Sequence, residues 1–243
     1  MKYVDVPTGR QVSFYLAMEE HLAHCYKGCD FFFMWQVPPS VIFGRNQVIE
    51  QEVNLDYCRQ HGIRIFRRKS GGGCVYADLG NVMLSMVIDC SNVGLGYNRF
   101  VAALELALRR MGINAAVSGR NDLLVAADGR DAASEGRKVS GVAYYQLPDR
   151  SIIHSTLLYD TDMANMVGSI TPSEAKLLSK GIKSVRQRVT LLKEYTAMSL
   201  PQVMDSIRQT LCRGEYVLTD EDMAEAERIE RENENMGYSI PHA

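Results

Sequence analysis

Three cations followed by three glycines make the segment of this sequence most suited to chemistry. Arg67, Arg68 and Lys69 precede Ser70 and residues 71–73. Glycine accepts positive φ angles and leaves its backbone N–H groups uncovered, so successive amides can point at one anion. A neighbouring arginine neutralises that anion with a planar, multi-donor head. The segment therefore indicates a phosphate site, with a flexible turn among ordinary surface charges as the alternative.

The glycine segment does not match the standard nucleotide loops. It has neither the Gly-Lys-Ser/Thr ending of a P-loop nor the GxGxxG spacing of a dinucleotide fold. Any nucleotide bound here would be held by a different kind of loop.

Two polar segments could act together with the glycines. In SGRNDLLV, Asn121 and Asp122 precede a predicted strand, and one carboxylate is sufficient for Mg²⁺ that also binds phosphate oxygens. A capped turn is the alternative.

In RKVSGVA, Lys138 leads a strand of small residues, where an ammonium could lie between an attacking carboxylate and a phosphoryl group. A lysine that protects an edge strand is the alternative.

Histidine and cysteine suggest weaker possibilities. His154 lies in the apolar run IHSTLL, where a satisfied core histidine is the first interpretation and a ligand contact the second. Cys25 and Cys29 follow two histidines, but no second pair has metal-ligand spacing. Small buried thiols at a helix end are therefore the favoured interpretation there.

Composition narrows the class of protein. With 243 residues, 46% of them hydrophobic, the chain is predicted to bury a core as one domain over residues 1–243. The net charge of −2 favours neither nucleic acid nor an acidic membrane surface as partner. Six scattered cysteines, no apolar signal stretch and no membrane-length apolar run predict a cytoplasmic protein with reduced thiols.

The pattern of apolar residues predicts mixed α and β elements. Residues 11–25 form an amphipathic helix with Glu19 and Glu20 toward its wetter side. FFFMW, SVIFG and IRIFRR read as strands, and the last leads directly into the glycines. Residues 74–89 read as strand, turn and strand.

Beyond residue 89 the pattern predicts two more helices and a hairpin. A helix is expected with Asn98 as cap and Gly112 as stop, and KVSGVAYYQL with SIIHSTLLY forms a hairpin. Residues 219–235 are rich in Glu, Asp and Arg, which predicts a charged helical tail from about residue 215, solvated or partly frayed.

Taken in order, these segments resemble the lipoate-protein ligase A family. The family carries RRxSGGG, SGRNDL, RKVSG, a histidine-led TLL strand and KGIxSVRxRV, and the last is KGIKSVRQRV at residues 180–189 here. FYLAMEEHL and GRNQ are similar to the family as well, so the resemblance spans about residues 12–192. Five ordered motifs are implausible as coincidence.

The resemblance implies a fold and a reaction. The fold is α/β (α+β), a mixed sheet flanked by helices, shared with biotin-protein ligases and distantly with class II aminoacyl-tRNA synthetases. Lipoate would attack ATP to give lipoyl-AMP, with Mg²⁺ as cofactor, and the lipoyl group would pass to a carrier lysine. The carriers implied are lipoyl domains of 2-oxoacid dehydrogenase E2 subunits and the glycine cleavage H protein.

The resemblance also assigns roles to residues of this chain. Lys138 would be catalytic and would touch both ATP and lipoate, and Asp122 would be the metal ligand. Gly72 and His154 would contact lipoate. Val82, Leu84 and Met86 could line the acyl tunnel, with core packing as the equal or better interpretation of each. The other nucleotide contacts would be Arg68, Gly73, Cys74, Val75, Tyr76, Asn121 and Asp122.

Departures from the family pattern leave the reaction open. Ala77 replaces a histidine, Cys74 replaces a small residue and Ser155 replaces a glycine. Full-length bacterial ligases carry a further C-terminal domain, so this chain could instead be a transferase that uses preformed lipoyl-AMP or needs a separate accessory subunit. It could also be an octanoyl or lipoyl transferase with Cys74 as a thioester nucleophile, a biotin ligase, or a non-catalytic acyl-binding module.

Overall fold

The protein is described here by a computed structural model that covers residues 1–118, 122–170 and 189–240. Asn121 and residues 180–188 of the KGIxSVRxRV segment lie outside the described residues. Within the described parts, two mixed β-sheets are flanked by helices, and the predicted mixed sheet flanked by helices is confirmed.

The strands agree closely with those predicted from the alternating and apolar runs. FFFMW, SVIFG and both hairpin strands lie where the sequence placed them. The strands are β1 (Lys2–Val4), β2 (Phe31–Trp35), β3 (Ser40–Gly44), β4 (Arg64–Arg68), β5 (Val75–Ala77), β6 (Asn81–Ile88), β7 (Ala115–Val117), β8 (Asp122–Val125), β9 (Arg137–Gln146), β10 (Ser151–Leu158), β11 (Glu215–Tyr216) and β12 (Ser239–Ile240).

Helices connect the strands and cover both faces of the larger sheet. A short 3₁₀ turn spans Leu192–Glu194. The helices are α1 (Val12–Cys25), α2 (Ile49–Glu52), α3 (Leu55–Gln60), α4 (Val93–Arg110), α5 (Ala132–Glu135), α6 (Met163–Ser169), α7 (Leu200–Leu211) and α8 (Asp220–Asn235). Among these helices of the described chain, none combines the length and apolar character needed to cross a membrane.

The expected cap of α4 at Asn98 is wrong, because the cap lies six residues earlier, at Asn92. The Asn92 side chain accepts a hydrogen bond from the Leu95 N–H. Gly94 and Gly96 lie in the first turns, and glycine disfavours a helix, so the sequence did not indicate this start. Gly96 lets the helix approach the sheet, since a Cβ there would lie 2.0 Å from the Ile88 side chain.

The two sheets have different strand orders. The eight-stranded sheet runs β11-β1-β2-β6-β10-β9-β8-β7, and it is antiparallel from β2 to β7. The four-stranded sheet runs β12-β4-β3-β5, with β3 and β4 parallel. The glycine segment connects β4 to β5, so it leaves the small sheet at the end that faces β9.

Each face of the large sheet has its own core. Helices α4 and α7 pack on one face against Val82, Leu84 and Met86 of β6. Helix α1 packs on the other face, together with Trp35 and residues of the small sheet. Adjacent residues in a strand point to opposite faces, so these two cores never mix along β6.

The charged C-terminal helix is not a solvated or frayed tail, so that expectation is wrong. Asp222, Ala226, Ile229 and Asn233 recur at helical spacing and form the buried stripe of α8. The stripe packs on α1. This packing also corrects the expectation for Glu19 and Glu20, which are buried because α8 covers the side of α1 that would otherwise be wet.

Asp222 anchors this contact between the two helices. Its carboxylate accepts hydrogen bonds from His21 Nε2 at 2.6 Å, from Tyr26 at 2.8 Å and from Tyr216 at 2.9 Å. The Thr219 backbone N–H adds a fourth at 2.8 Å. Burial acts to raise the pKa of Asp222, but these donors, with the Thr219 N–H first, hold it below its usual range.

We expect Asp222→Asn to lower the free energy of unfolding at pH 7 by about 2–4 kcal/mol, because four donors lose a charged acceptor. A depressed folded-state pKa gives stability that is present above about pH 4 and lost as the pH falls below it. The variant should therefore lose less stability than wild type between pH 5 and pH 3, which urea titrations at each pH would measure. Asp220→Asn, at an exposed position of the same helix, is the control. If Asp222→Asn and Asp220→Asn had the same free energy of unfolding at every pH, Asp222 would not anchor the contact between α1 and α8.

Candidate functional site

Arg68 lies at the centre of the glycine loop and is almost fully buried, with 4% exposure. Its Nη2 donates to the carbonyls of Gly71 and Gly73, both at 2.7 Å, and its Nη1 donates to the Ile42 carbonyl at 2.9 Å. Burial lowers the pKa of Arg68 to about 10, so the guanidinium remains charged at pH 7. Arg68 therefore holds the loop from within.

The bonds to Arg68 determine where the loop amides point. No peptide bond in the described chain is cis. A trans peptide places its N–H opposite its C=O, so the N–H groups of Gly72 and Cys74 point away from Arg68. Two amides thus face outward from a buried positive charge, which is an arrangement that favours an anion.

Close backbone contacts hold the loop against β3. A Cβ at Gly44 would lie 2.3 Å from the Gly72 carbonyl oxygen, and the Arg45 N–H donates to the Ser70 carbonyl at 3.1 Å. Gly72 itself has φ of +87°, a conformation in which side chains are strained. Glycine is therefore required at both positions for this loop shape.

A buried chain of hydrogen bonds connects the loop to α1. Ser70 Oγ lies 2.7 Å from His154 Nε2 and accepts from Arg68 Nε at 2.9 Å. His154 Nδ1 lies 3.0 Å from Glu19 Oε2. A carboxylate only accepts, so Nδ1 donates to Glu19, and Ser70 donates to Nε2 when the ring is neutral. His154 is thus a satisfied buried histidine, the first of its two interpretations.

Sequence patterns did not identify Glu19 or Ser70 as members of this chain. Glu19 also accepts from Ser85 Oγ at 2.5 Å, and Ser85 accepts from Trp35 Nε1 at 2.9 Å. These residues come from four separate segments, so no local spacing relates them. Only the pairing of Ser85 with His154 across β6 and β10 places them side by side.

Lys138 forms a second polar group on β9. Its Nζ lies 2.6 Å from Asp122 Oδ1, and the Asp122 carboxylate is largely buried. A Cβ at Gly141 would lie 2.6 Å from the Lys138 Nζ, so the missing side chain leaves room for the ammonium. The two residues that the sequence proposed for chemistry in separate motifs are therefore an ion pair.

The loop and Lys138 lie over the same face of β9. A Cβ at Gly72 would contact Ala143, and Gly141 lies beside Lys138. Gly141 and Ala143 are two residues apart, so they share a face and are separated by about 7 Å along the strand. His154 pairs with Ala143 and shares that face as well. The loop amides, Lys138 and His154 thus surround one region of the sheet.

A small cavity lies beside this region, between α1 and the start of the loop. Apolar and charged side chains line it together. The lining residues are Leu16, Glu19, Glu20, Arg68, Lys69, Ser70, Tyr145, Ile152 and His154.

Val82, Leu84 and Met86 pack in the core, the equal or better of their two interpretations, and do not line an acyl tunnel on the face of the loop. They lie in the core under α4, on the face of the sheet opposite to the loop. Met83, Ser85 and Val87 are the β6 residues whose side chains share the face of His154. The sequence located the strand but not which alternate residues face the site.

The remaining candidate residues are divided between the loop and β5. Cys74 is partly buried at the end of the loop, and Val75 begins β5. The Tyr76 side chain is buried in a core cluster, so in this structure it does not face the loop. The described residues include all six cysteines and no disulfide, and contain no group of three His, Cys, Asp or Glu side chains suited to a metal.

The fold and the site thus define a mixed α/β protein with a candidate phosphate site between two sheets. Comparison with known proteins agrees with this class. A family model, the lipoyl protein ligase A/B catalytic domain, matches residues 11–212. Lipoate–protein ligase 1 of Staphylococcus aureus is 32% identical over 239 residues, which cover 94% of this chain and 70% of that protein. The chain therefore belongs to the lipoyl protein ligase A/B catalytic domain family.

Two solved structures have the same fold over nearly the whole chain. One is from a study of an archaeal lipoylation system, a bi-partite lipoate protein ligase and its E2 lipoyl domain from Thermoplasma acidophilum. It is 25% identical, with a TM-score of 0.81, and the match covers 99% of this chain and 97% of that one. The other is lipoate-protein ligase A bound with ATP, at 25% identity and a TM-score of 0.78, with 99% and 96% covered.

We expect Gly44→Ala to lower the free energy of unfolding by about 1–3 kcal/mol, because its methyl group would displace the loop backbone at Gly72. Thermal and urea unfolding would measure the change. Gly214→Ala is the matched control, since a Cβ there meets nothing within 4 Å. If Gly44→Ala is as stable as the control, the loop does not depend on this contact.

Proposed function

We propose that this chain is a lipoate–protein ligase that activates lipoate with ATP and transfers the lipoyl group to a lysine of a carrier domain. The observation that carries the proposal is the placement of outward loop amides and Lys138 over one face of β9. Membership of the ligase family supports the proposal. The S. aureus relative is named a lipoate–protein ligase, and one structural neighbour is a lipoate-protein ligase bound with ATP, which also support it.

In the first half-reaction, a carboxylate oxygen of lipoate attacks the α-phosphorus of ATP, and pyrophosphate leaves with the electrons of the broken P–O bond. The outward amides of Gly72 and Cys74 suit the phosphate oxygens. Lys138 supplies positive charge where the carboxylate and phosphate converge, which offsets charge that grows in the transition state. The ion pair with Asp122 holds the ammonium in place.

In the second half-reaction, the ε-amine of the carrier lysine attacks the acyl carbon of lipoyl-AMP. The amide bond forms, AMP leaves from the acyl carbon, and the amine loses a proton. Lys138 can stabilise the oxygen of the tetrahedral intermediate and the departing phosphate, because an ammonium has three donors. No covalent bond to the enzyme is required.

The buried positions of Arg68 and His154 change the roles proposed for them. Arg68 acts on ATP through the loop that it shapes rather than through a direct bond in this conformation. His154 borders the cavity that we assign to the acyl chain, together with Leu16 and Ile152. Leu16, Tyr145 and Ile152 give the cavity an apolar side that suits such a chain, and its other lining residues are polar or charged.

We propose that Mg²⁺ enters with ATP. Asp122 offers a hard carboxylate oxygen of the kind that Mg²⁺ binds, but its Oδ1 already accepts from Lys138. The residues therefore fit an ion held mainly by phosphate oxygens, with Asp122 as the one protein ligand proposed. Such an ion would neutralise phosphate charge.

The carrier and any accessory subunit are proposals as well. We propose lipoyl domains, those of 2-oxoacid dehydrogenase E2 subunits and the glycine cleavage H protein, as acceptors, and a cytoplasmic location. The Thermoplasma acidophilum study names an E2 lipoyl domain and a bi-partite ligase. By analogy with that bi-partite ligase, we propose a separate accessory subunit for this chain.

The adenylate route is favoured over a Cys74 thioester. A thioester nucleophile needs a base beside it. His154, which contacts the loop, has both ring nitrogens engaged, one with Ser70 and one with Glu19. Burial and hydrogen bonding thus commit this histidine to the loop scaffold.

Intact-mass analysis of an apo lipoyl domain tests the proposed function. The protein is incubated with lipoate and Mg-ATP in one reaction and with preformed lipoyl-AMP in another. Modification in both reactions indicates a complete ligase, and modification only with lipoyl-AMP indicates a transferase that needs a partner. A carrier left unmodified in both would overturn the proposal.

We expect Lys138→Ala to lower the rate of ATP–pyrophosphate exchange by about 10²–10³-fold, because the charge at the reacting phosphate is removed. Lys193→Ala is the control, since Lys193 is also paired with a carboxylate, Asp160 at 2.6 Å, but is exposed. Unchanged exchange in a folded Lys138→Ala protein would sink its catalytic role.

We expect Cys74→Ala to keep carrier lipoylation within about threefold of wild type, because the loop contributes the backbone N–H of this residue and not its thiol. Carrier mass spectrometry over time gives the rate. A loss of more than 100-fold, together with a trapped acyl-enzyme in the wild-type protein, would instead support the thioester route.

A further inference from the structure

The C-terminal segment, residues 213–240, lies beyond the residues 11–212 that the family model matches. It contacts β4 and Lys69, which lead into the glycine loop. Strand β12 pairs antiparallel with β4, with Ser239 opposite Phe66. The Arg67 N–H donates to the Tyr238 carbonyl at 3.1 Å. The strand that enters the loop is therefore held at its outer edge by the end of the chain.

A buried relay of side chains makes a second connection from α8 to the loop. Asn233 Nδ2 donates to Glu20 Oε1 at 3.0 Å, and the other oxygen of Glu20 accepts from Lys69 Nζ at 2.6 Å. Asn233 and Glu20 are both less than 10% exposed. The Lys69 ammonium also lies 5.4 Å from the centre of the Tyr238 ring, within cation–π range.

Successive residues at the start of the loop are held from opposite sides. Arg68 and Ser70 bond to the core, through the Ile42 carbonyl and His154. Arg67 and Lys69 bond to the C-terminal segment and to Glu20 on α1. Arg67 bonds through its backbone N–H, whereas the other three residues bond through their side chains. The C-terminal segment thus contacts the entry to the loop directly at Arg67 and Lys69, and through Glu20 it reaches Lys69 a second time.

We propose that α8 and β12 position the glycine loop for phosphate binding, with Asn233 as a positioning residue that acts through Glu20 and Lys69. The identity of the phosphate ligand, ATP, rests on the proposed function. Asn233 orients one carboxylate oxygen of Glu20, which leaves the other directed at Lys69. Because its amide is a neutral donor, it does this without competing for the lysine.

The charge of Glu20 makes this role specific to an amide. A carboxylate at position 233 would stand against Glu20 at hydrogen-bond distance and repel it, and would offer Lys69 a second acceptor. An alanine would only remove the donor. The relay therefore predicts that aspartate impairs ATP affinity more than alanine, and unfolding temperatures separate this effect from the general cost of burying a charge.

Calorimetric titration of Mg-ATP into the full chain tests the inference. We expect Asn233→Ala to raise the Kd for ATP about tenfold, the effect of losing one hydrogen bond to a charged group, and Asn233→Asp to raise it further. Asn235→Ala, an exposed asparagine two residues along the same helix, should match wild type. Unfolding temperatures are measured for all four proteins.

A double-mutant cycle with Lys69→Met separates positioning from general stability. If Asn233 acts through Lys69, Asn233→Ala should change the Kd less than twofold in the Lys69→Met background. Full additivity would overturn the relay, and so would a lower unfolding temperature with unchanged ATP affinity. A wild-type chain that binds no ATP overturns the proposed function and this inference with it. If the wild-type chain binds ATP but Asn233→Ala and Asn235→Ala have the same Kd for ATP, only this inference is overturned.

Discussion

The buried guanidinium of Arg68 is the constraint on which the rest of the site depends. An unpaired charge in a protein interior is costly, and Arg68 is held instead by carbonyls of Ile42, Gly71 and Gly73 and by Ser70. Those acceptors are available only when the loop folds back on the arginine. The glycines are needed because that path requires a positive φ at Gly72 and close contact with Gly44.

The same arrangement connects the loop to the large sheet. Ser70 joins Arg68 to His154, and His154 joins Ser70 to Glu19 on α1. A displacement of α1 would therefore be transmitted to the loop through polar contacts as well as through packing. Helix α1 lies between the sheet and α8, so the C-terminal helix stabilises the site from a distance through Asp222 and Asn233. Burial of these groups makes each contact depend on the others, because an unmatched donor or carboxylate there has no water to replace it.

Lys138 and Asp122 form a second polar group, joined by their own ion pair. They lie on neighbouring strands with a register irregularity between them, and the missing side chain of Gly141 makes space for the ammonium. The loop approaches the same face of β9 from the small sheet. The site is thus assembled where two sheets meet, with the amides contributed by one and the lysine by the other. This separation allows an anion to be held between two partly independent supports.

The sequence by itself determined most strands, the helix before Cys25, and the residue types suited to phosphate and acyl transfer. Those conclusions rest on local spacing, such as the glycines after IRIFRR and the hairpin before Tyr159, where neighbours in sequence are neighbours in space. Tertiary structure alone decided that Arg68 faces inward, that Glu19 and Glu20 are buried, and that β6 presents Ser85 rather than Leu84 to the site. It also decided that the charged C-terminal helix docks on α1. The physical reason is that burial of a polar side chain depends on partners from distant segments, Asn233 with Glu20 and Asp222 with His21, which no local pattern records.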